Sequence, residues 1–162
     1  MLIRRVSSFV ATFLHPAEVQ LFDGSGALVK PLAPVLSTTY NQSSTEVYPV
    51  GDCFDGSTST FCSTYDPGTG DSQPYLYVPY PCPGGFSSLS RVVVINRQGT
   101  NQAVRDRINL FVLDFLTASG AVDKPSFAFT GGQANYSIGV PAPGALANSV
   151  QRVLAFLHEM RD

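Results

Sequence analysis

The sequence predicts an all-β chain, a sandwich or a barrel, on three observations. Its 162 residues include 14 glycines and 12 prolines, gathered in short clusters that punctuate the chain, as a fold with many turns and short segments requires. Only 14% of residues are charged, well below the usual quarter of a soluble protein, so Ser, Thr, Asn and Gln fill the surface. The apolar residues follow strand patterns over most of the chain, and one helical period stands out near the C-terminus.

The stretch Arg91–Leu116 organises the rest. Val92, Val93, Val94 and Ile95 form a β-branched block. Further on, Ile108, Leu110, Val112 and Asp114 fall on one face of a second strand, with Phe111, Leu113 and Phe115 on the other. Both faces are mostly apolar, which predicts a central strand covered on both sides. A polar loop between the two strands carries Arg97, Arg105 and Arg107. Guanidinium forks on a loop held by core strands make a candidate ligand site. The structural alternative pairs one of these arginines with Asp106 or Asp114 across the strand ends.

Taken in order, residues Arg5–Leu14 and Ala17–Phe22 are extended segments interrupted by His15-Pro16, because proline lacks a ladder donor. The basic, semi-apolar start is read as this first strand rather than as a leader. Asp23-Gly-Ser-Gly26 is a tight turn to a short return strand, Ala27–Val29. Val35–Val50 is an exposed strand followed by a loop. In Asp52–Cys62 the Asp55-Gly56 pair turns the chain between Phe54 and Phe61, read as core anchors. Ser63–Gln73 is a surface loop. Tyr75–Tyr80 alternates as a strand does, and its tyrosines, with Tyr65, are half-buried strand residues or a sugar platform. Ser126–Thr130 and Ala134–Val140 are the last strands, joined by a turn at Gly131-Gly132. After residue 143, Leu146, Val150, Val153, Leu154, Leu157 and Met160 recur every three or four residues. That is an amphipathic helix, packed on the sandwich or docked on a protein partner or second copy. The chain thus divides into a β-domain over residues 1–143 and a helix over residues 144–162.

Three cysteines, Cys53, Cys62 and Cys82, allow one bridge and one thiol or three thiols. We expect one bridge that involves Cys62. A net charge of −2 argues against nucleic-acid binding, which needs a basic stripe. No apolar run is long enough to span a membrane. Enzyme signatures are absent: no nucleophile elbow, paired-histidine metal motif or phosphate-cradling loop is present. His15 and His158 have no partner nearby in sequence and are assigned no chemistry.

Several segments together resemble the discoidin-like family, also called galactose-binding-like or coagulation-factor C-domain-like, and above all its fucolectin-like branch. They are Ala17–Asp23, Cys53–Cys62, Tyr75–Val78, and Arg91–Arg97 followed by Arg107-Ile108. The resemblance covers about residues 5–140 and implies an antiparallel jelly-roll sandwich that binds sugars, lipids or proteins without catalysis. It implies a ligand site at Arg97 and Arg107, with Arg105 nearby, and with Ser63 and Tyr65 on the adjoining loop. Two parts of the fucose pattern are missing, since the loop reads Phe61-Cys-Ser-Thr-Tyr65 without a histidine and Gly99 replaces an acidic residue. The resemblance also implies calcium beside the Asp-Gly turn. Asp52, Asp55, Ser57 and Thr60 offer the oxygens it needs; the alternative is that Asp55-Gly56 only turns the chain. Two functions remain open. One is a glycan- or surface-protein-binding module of an extracellular or cell-surface protein. The other is a structural or assembly protein of a virion or surface appendage.

Overall fold

The computed structural model describes residues 1–6, 13–41, 47–64, 73–79, 89–99, 101–116 and 120–140, with only the backbone of 40, 41 and 123–125. The C-terminal helix expected over residues 144–162, and also Tyr65, Tyr80 and Cys82, lie outside these residues.

The described chain is mostly β. Its strands are β1 (Leu2–Arg5), β2 (Pro16–Asp23), β3 (Leu28–Val29), β4 (Val35–Leu36), β5 (Tyr40–Asn41), β6 (Val47–Tyr48), β7 (Tyr75–Tyr77), β8 (Leu89–Asn96), β9 (Phe111–Leu116), β10 (Val122–Ala128) and β11 (Asn135–Gly139). They form a five-stranded sheet in the order β10-β9-β1-β7-β4, a four-stranded sheet in the order β11-β8-β2-β3, and a β5–β6 hairpin. Every pairing is antiparallel.

Side-chain alternation explains how the sheets share a core. Ile3, Leu76, Phe111, Leu113 and Phe115 of the first sheet are buried in one cluster with Val19, Leu21, Val92, Val94, Tyr136 and Ile138 of the second. Each of these side chains contributes about 1.5–3 kcal/mol of burial. β9 is buried on both faces from Phe111 to Phe115, as its two apolar faces predict. Its outward Asp114 is fully buried because Arg4 Nε donates to Oδ2 at 2.5 Å, and Ser126 Oγ donates to Oδ1. Neither Arg97, Arg105 nor Arg107 pairs with Asp114.

Two sequence expectations are corrected. The strand does not begin at Ile108. Residues Arg107–Leu110 form a 3-10 turn, and the segment before it is a short helix, α1 (Gln102–Asp106), capped by Asn101 Oδ1 accepting from Ala103 N at 2.9 Å. A single 3-10 turn buries only Ile108, so the two-residue spacing of Ile108 and Leu110 matched a strand without requiring one. β1 covers Leu2–Arg5, ahead of the extended segment expected over Arg5–Leu14, of which residues 7–12 lie outside the described residues; Pro16 opens β2 instead of merely breaking a strand, as fits a residue without a ladder donor.

Candidate functional site

The antiparallel registers gather the site. Arg5 pairs with Phe111, and Arg4 with Tyr75, so β1 ends where β7 and β9 begin. Pro16 pairs with Asn96, and Asn135 with Ile95, so β2 and β11 begin where β8 ends. The segment 97–110 crosses between the sheets at this end. Asn96, fully buried, fixes the crossing: its Nδ2 donates to Arg105 O at 2.9 Å and to Gln133 O at 3.2 Å.

With Pro16 opposite Asn96, His15 lies beside Arg97. The imidazole is buried, with Nε2 3.3 Å from Val104 O. A carbonyl only accepts, so this contact places the proton on Nε2. Burial lowers the His15 pKa to about 4; the bond to Val104 opposes this, and the fields of Arg107 and Arg97 add to the lowering. His15 is therefore neutral at neutral pH.

Around it stand aromatic rings and two guanidinium groups. The Arg97 guanidinium carbon lies 3.8 Å from the Phe61 ring centre, and that of Arg107 lies 5.1 Å from Phe13. Tyr48 stacks on Phe61 at 4.3 Å. One ring face cannot take both neighbours at these distances, so Phe61 is held between Tyr48 and Arg97. His15 lies 6.4 Å from both Phe13 and Phe61, parallel to the first and edge-on to the second. Phe61, expected as a core anchor, is thus a half-buried platform under Arg97. Phe54 does pack against the core.

Taken over the described residues, the charge here is unbalanced. Among the described residues no carboxylate forms an ion pair with Arg97 or Arg107; Asp114 is taken by Arg4, and Asp106 accepts from Gln102 Nε2 at 2.7 Å. Burial lowers the Arg97 pKa; Tyr48 opposes this, and the nearby Arg107 adds to it.

The other expected ligand residues fare differently. Arg105 belongs to the scaffold: Nη1 donates to Gly99 O at 2.7 Å, and Nε and Nη2 donate to Gln102 Oε1. Ser63 is buried with its Oγ donating to Thr64 O at 3.1 Å. His15 was missed because nothing close in sequence marks it. The signal lay in its place just before β2, legible only once the β2–β8 register is known.

The four residues expected around a metal split into two settings. Asp55 Oδ1 accepts from Ser57 N at 2.8 Å and Oδ2 from Thr60 Oγ1 at 2.7 Å, which holds its pKa down. Burial and the charge of Asp55 raise the Asp52 pKa. The turn covers Glu18, which was not expected. Glu18 is buried and its Oε2 has no partner among the described residues. Burial raises its pKa to about 7; a Gly56 backbone N–H opposes this, and Asp55 adds to it. Glu18, Asp55 and Gly56 line a small cavity of about 80 Å³ with Lys30 and Phe54. Among the described residues no three His, Cys, Asp or Glu side chains converge as a metal-binding group.

Cys53 and Cys62 form a disulfide, with their Cα atoms 5.1 Å apart. Among the described residues no helix is long and apolar enough to cross a membrane. Comparison with protein-family models, curated proteins and solved structures finds no match for the chain.

Proposed function

We propose that this chain is a non-catalytic binding module that takes a glycan at the end of the sheets where His15, Arg97 and Arg107 meet. The observation that carries the reading is that cluster: two guanidinium forks resting on phenyl rings, beside a neutral imidazole, without a carboxylate partner among the described residues. Such forks donate to hydroxyl and ring oxygens in fixed directions. The two antiparallel sheets are then read as the jelly-roll sandwich of the discoidin-like, galactose-binding-like family, which fits an extracellular or surface location. A glycan array of the whole chain tests the reading, with Arg97→Ala as control. Binding that is lost in the variant supports it, and no binding to any glycan, with or without calcium, sinks it.

Calcium belongs to the same proposal. Glu18 Oε2, unpartnered among the described residues, would be its carboxylate ligand beside the Asp55-Gly56 turn, with backbone and water oxygens completing the shell, while Ser57 and Thr60 hold Asp55 in place. Thermal unfolding in calcium against chelator checks this; identical midpoints withdraw the ion.

A second reading, assembly through protein contacts, has an observation of its own. The outer face of the five-stranded sheet exposes Val35, Tyr75 and Tyr77 beside Leu2 and Leu116. Apolar residues grouped on a solvent face mark contact surfaces. Sedimentation of wild type and Tyr77→Lys decides it: a monomer in both cases, with no partner retained, removes this reading.

A further inference from the structure

The unbalanced charge of the site says more about its ligand. Burial, with the fields of Arg107 and Arg97 added to it, keeps the proton off His15, and Arg97 and Arg107 are close enough to repel each other. A site built for an uncharged sugar gains by placing a carboxylate beside its arginines, which orients them and neutralises them. Here the candidates among the described residues are engaged elsewhere, Asp106 with Gln102 and Asp114 with Arg4. Gly99, on the loop between the arginines, offers only its carbonyl, and Arg105 takes it. Phe61 and Phe13 hold the guanidinium planes by cation–π contact, which leaves the N–H edges free to donate. Both arginines are half-buried, so an anion between them would sit in a medium where charge-assisted hydrogen bonds are strong.

We propose that the ligand is anionic: a glycan carrying a carboxylate or sulfate group, which lies between the guanidinium groups of Arg97 and Arg107. This inference rests on the glycan reading. A planar carboxylate or a tetrahedral sulfate accepts two N–H donors from one fork and supplies the counter-charge that the described residues lack. His15, neutral and bonded to Val104, adds no repulsive or attractive charge of its own. A glycan is favoured over a lipid headgroup because the arginines rest against rings at the base of the strands. Phe61 is packed between Tyr48 and Arg97, and Phe13 lies against Arg107 and His15, so neither half-buried ring projects as an apolar spike into a bilayer.

Calorimetry on the whole chain tests the proposal with matched probes. These are oligogalacturonate against its methyl ester, sulfated against unsulfated dextran oligosaccharides, and phosphatidylserine vesicles. The expected result is binding of an acidic probe at least about tenfold tighter than its neutral match. That binding should weaken as salt rises from about 0.05 to about 0.5 M. Arg97→Gln and Arg107→Gln should each lose about tenfold or more, and Arg97→Lys should lose part of the affinity while keeping the charge. Thermal melts within a few degrees of wild type show that the variants fold. If acid and ester bind alike and salt has no effect, the anion is wrong and the glycan reading stands. If no saccharide binds, both fail. Binding to vesicles but to no oligosaccharide also overturns the proposal, in favour of a headgroup.

Discussion

His15 is buried in its neutral form, and Glu18, three residues on, is buried with an orphaned carboxyl oxygen. Their effects on stability have opposite signs. His15 falls from an ordinary 6.5 to about 4, so between those values the unfolded chain holds a proton the folded chain rejects. Stability therefore rises with pH across that window and is lost as pH falls through it. Glu18 rises from 4.5 to about 7. There the folded chain keeps the proton, and stability falls as pH rises. The two nearly cancel between 4.5 and 6.5 in the wild type. Glu18→Gln should leave a rising slope and His15→Gln a falling one, each on the order of 1 kcal/mol per pH unit. Urea denaturation across pH 4.5–7 reads both; parallel slopes in all three proteins would refute the pair of shifts. Gly132 is a second sensitive position. Its φ is +53°, and a Cβ there would sit 2.3 Å from Asp106 Oδ1, whereas Gly120, at φ +84°, faces open space. Gly132→Ala should cost about 2–4 kcal/mol and Gly120→Ala about 1 kcal/mol, by thermal or urea unfolding. Equal costs would mean that the Asp106 side chain swings clear of the added methyl group.

At the scale of elements, the densest apolar runs named their strands, sparser spacing did not, and features that depended on pairing left no local trace. The Val92–Ile95 block and the alternation from Phe111 to Phe115 each imply their strand without reference to a neighbour. The 3-10 turn at Arg107–Leu110 was hidden because apolar residues two apart also describe a strand. Asp114 showed as a strand residue, but its partner Arg4 is 110 residues away in sequence, and no local pattern reaches that far. Their ion pair, with Ser126, ties β1, β9 and β10 across one face. Arg4→Ala should therefore destabilise the protein by about 2 kcal/mol, less than a fully buried pair because Arg4 is 44% exposed. Arg4→Ala with Asp114→Ala should cost less than the sum of the single changes. Additive costs in a double-mutant cycle by urea unfolding would show that the pair does not couple.

For the molecule as a whole, the candidate site depends on a loop that the disulfide secures. Arg97 stood out in the sequence as a candidate, and the bridge was expected at Cys62, yet the link between the two was not legible, because it runs through Phe61. Cys62 follows Phe61 directly, Cys53 lies against β2 with its Sγ 3.2 Å from Pro16 O, and the bridge holds the turn between them closed. The Tyr48–Phe61–Arg97 stack is thereby fixed to the start of β2, beside His15. Opening the bridge frees a loop of nine residues' separation, which in the chain-entropy picture costs about 2–3 kcal/mol. For a chain of this size that corresponds to a fall in Tm of roughly 5–10 °C. Cys53→Ser with Cys62→Ser, or reduction under native conditions, should show this fall. It should also weaken ligand binding beyond what the lost stability explains, because Phe61 no longer backs the Arg97 guanidinium. Thermal unfolding and calorimetry on the same samples separate the effects. A lower Tm with unchanged affinity at 20 °C below that Tm would mean that the platform stands without the bridge.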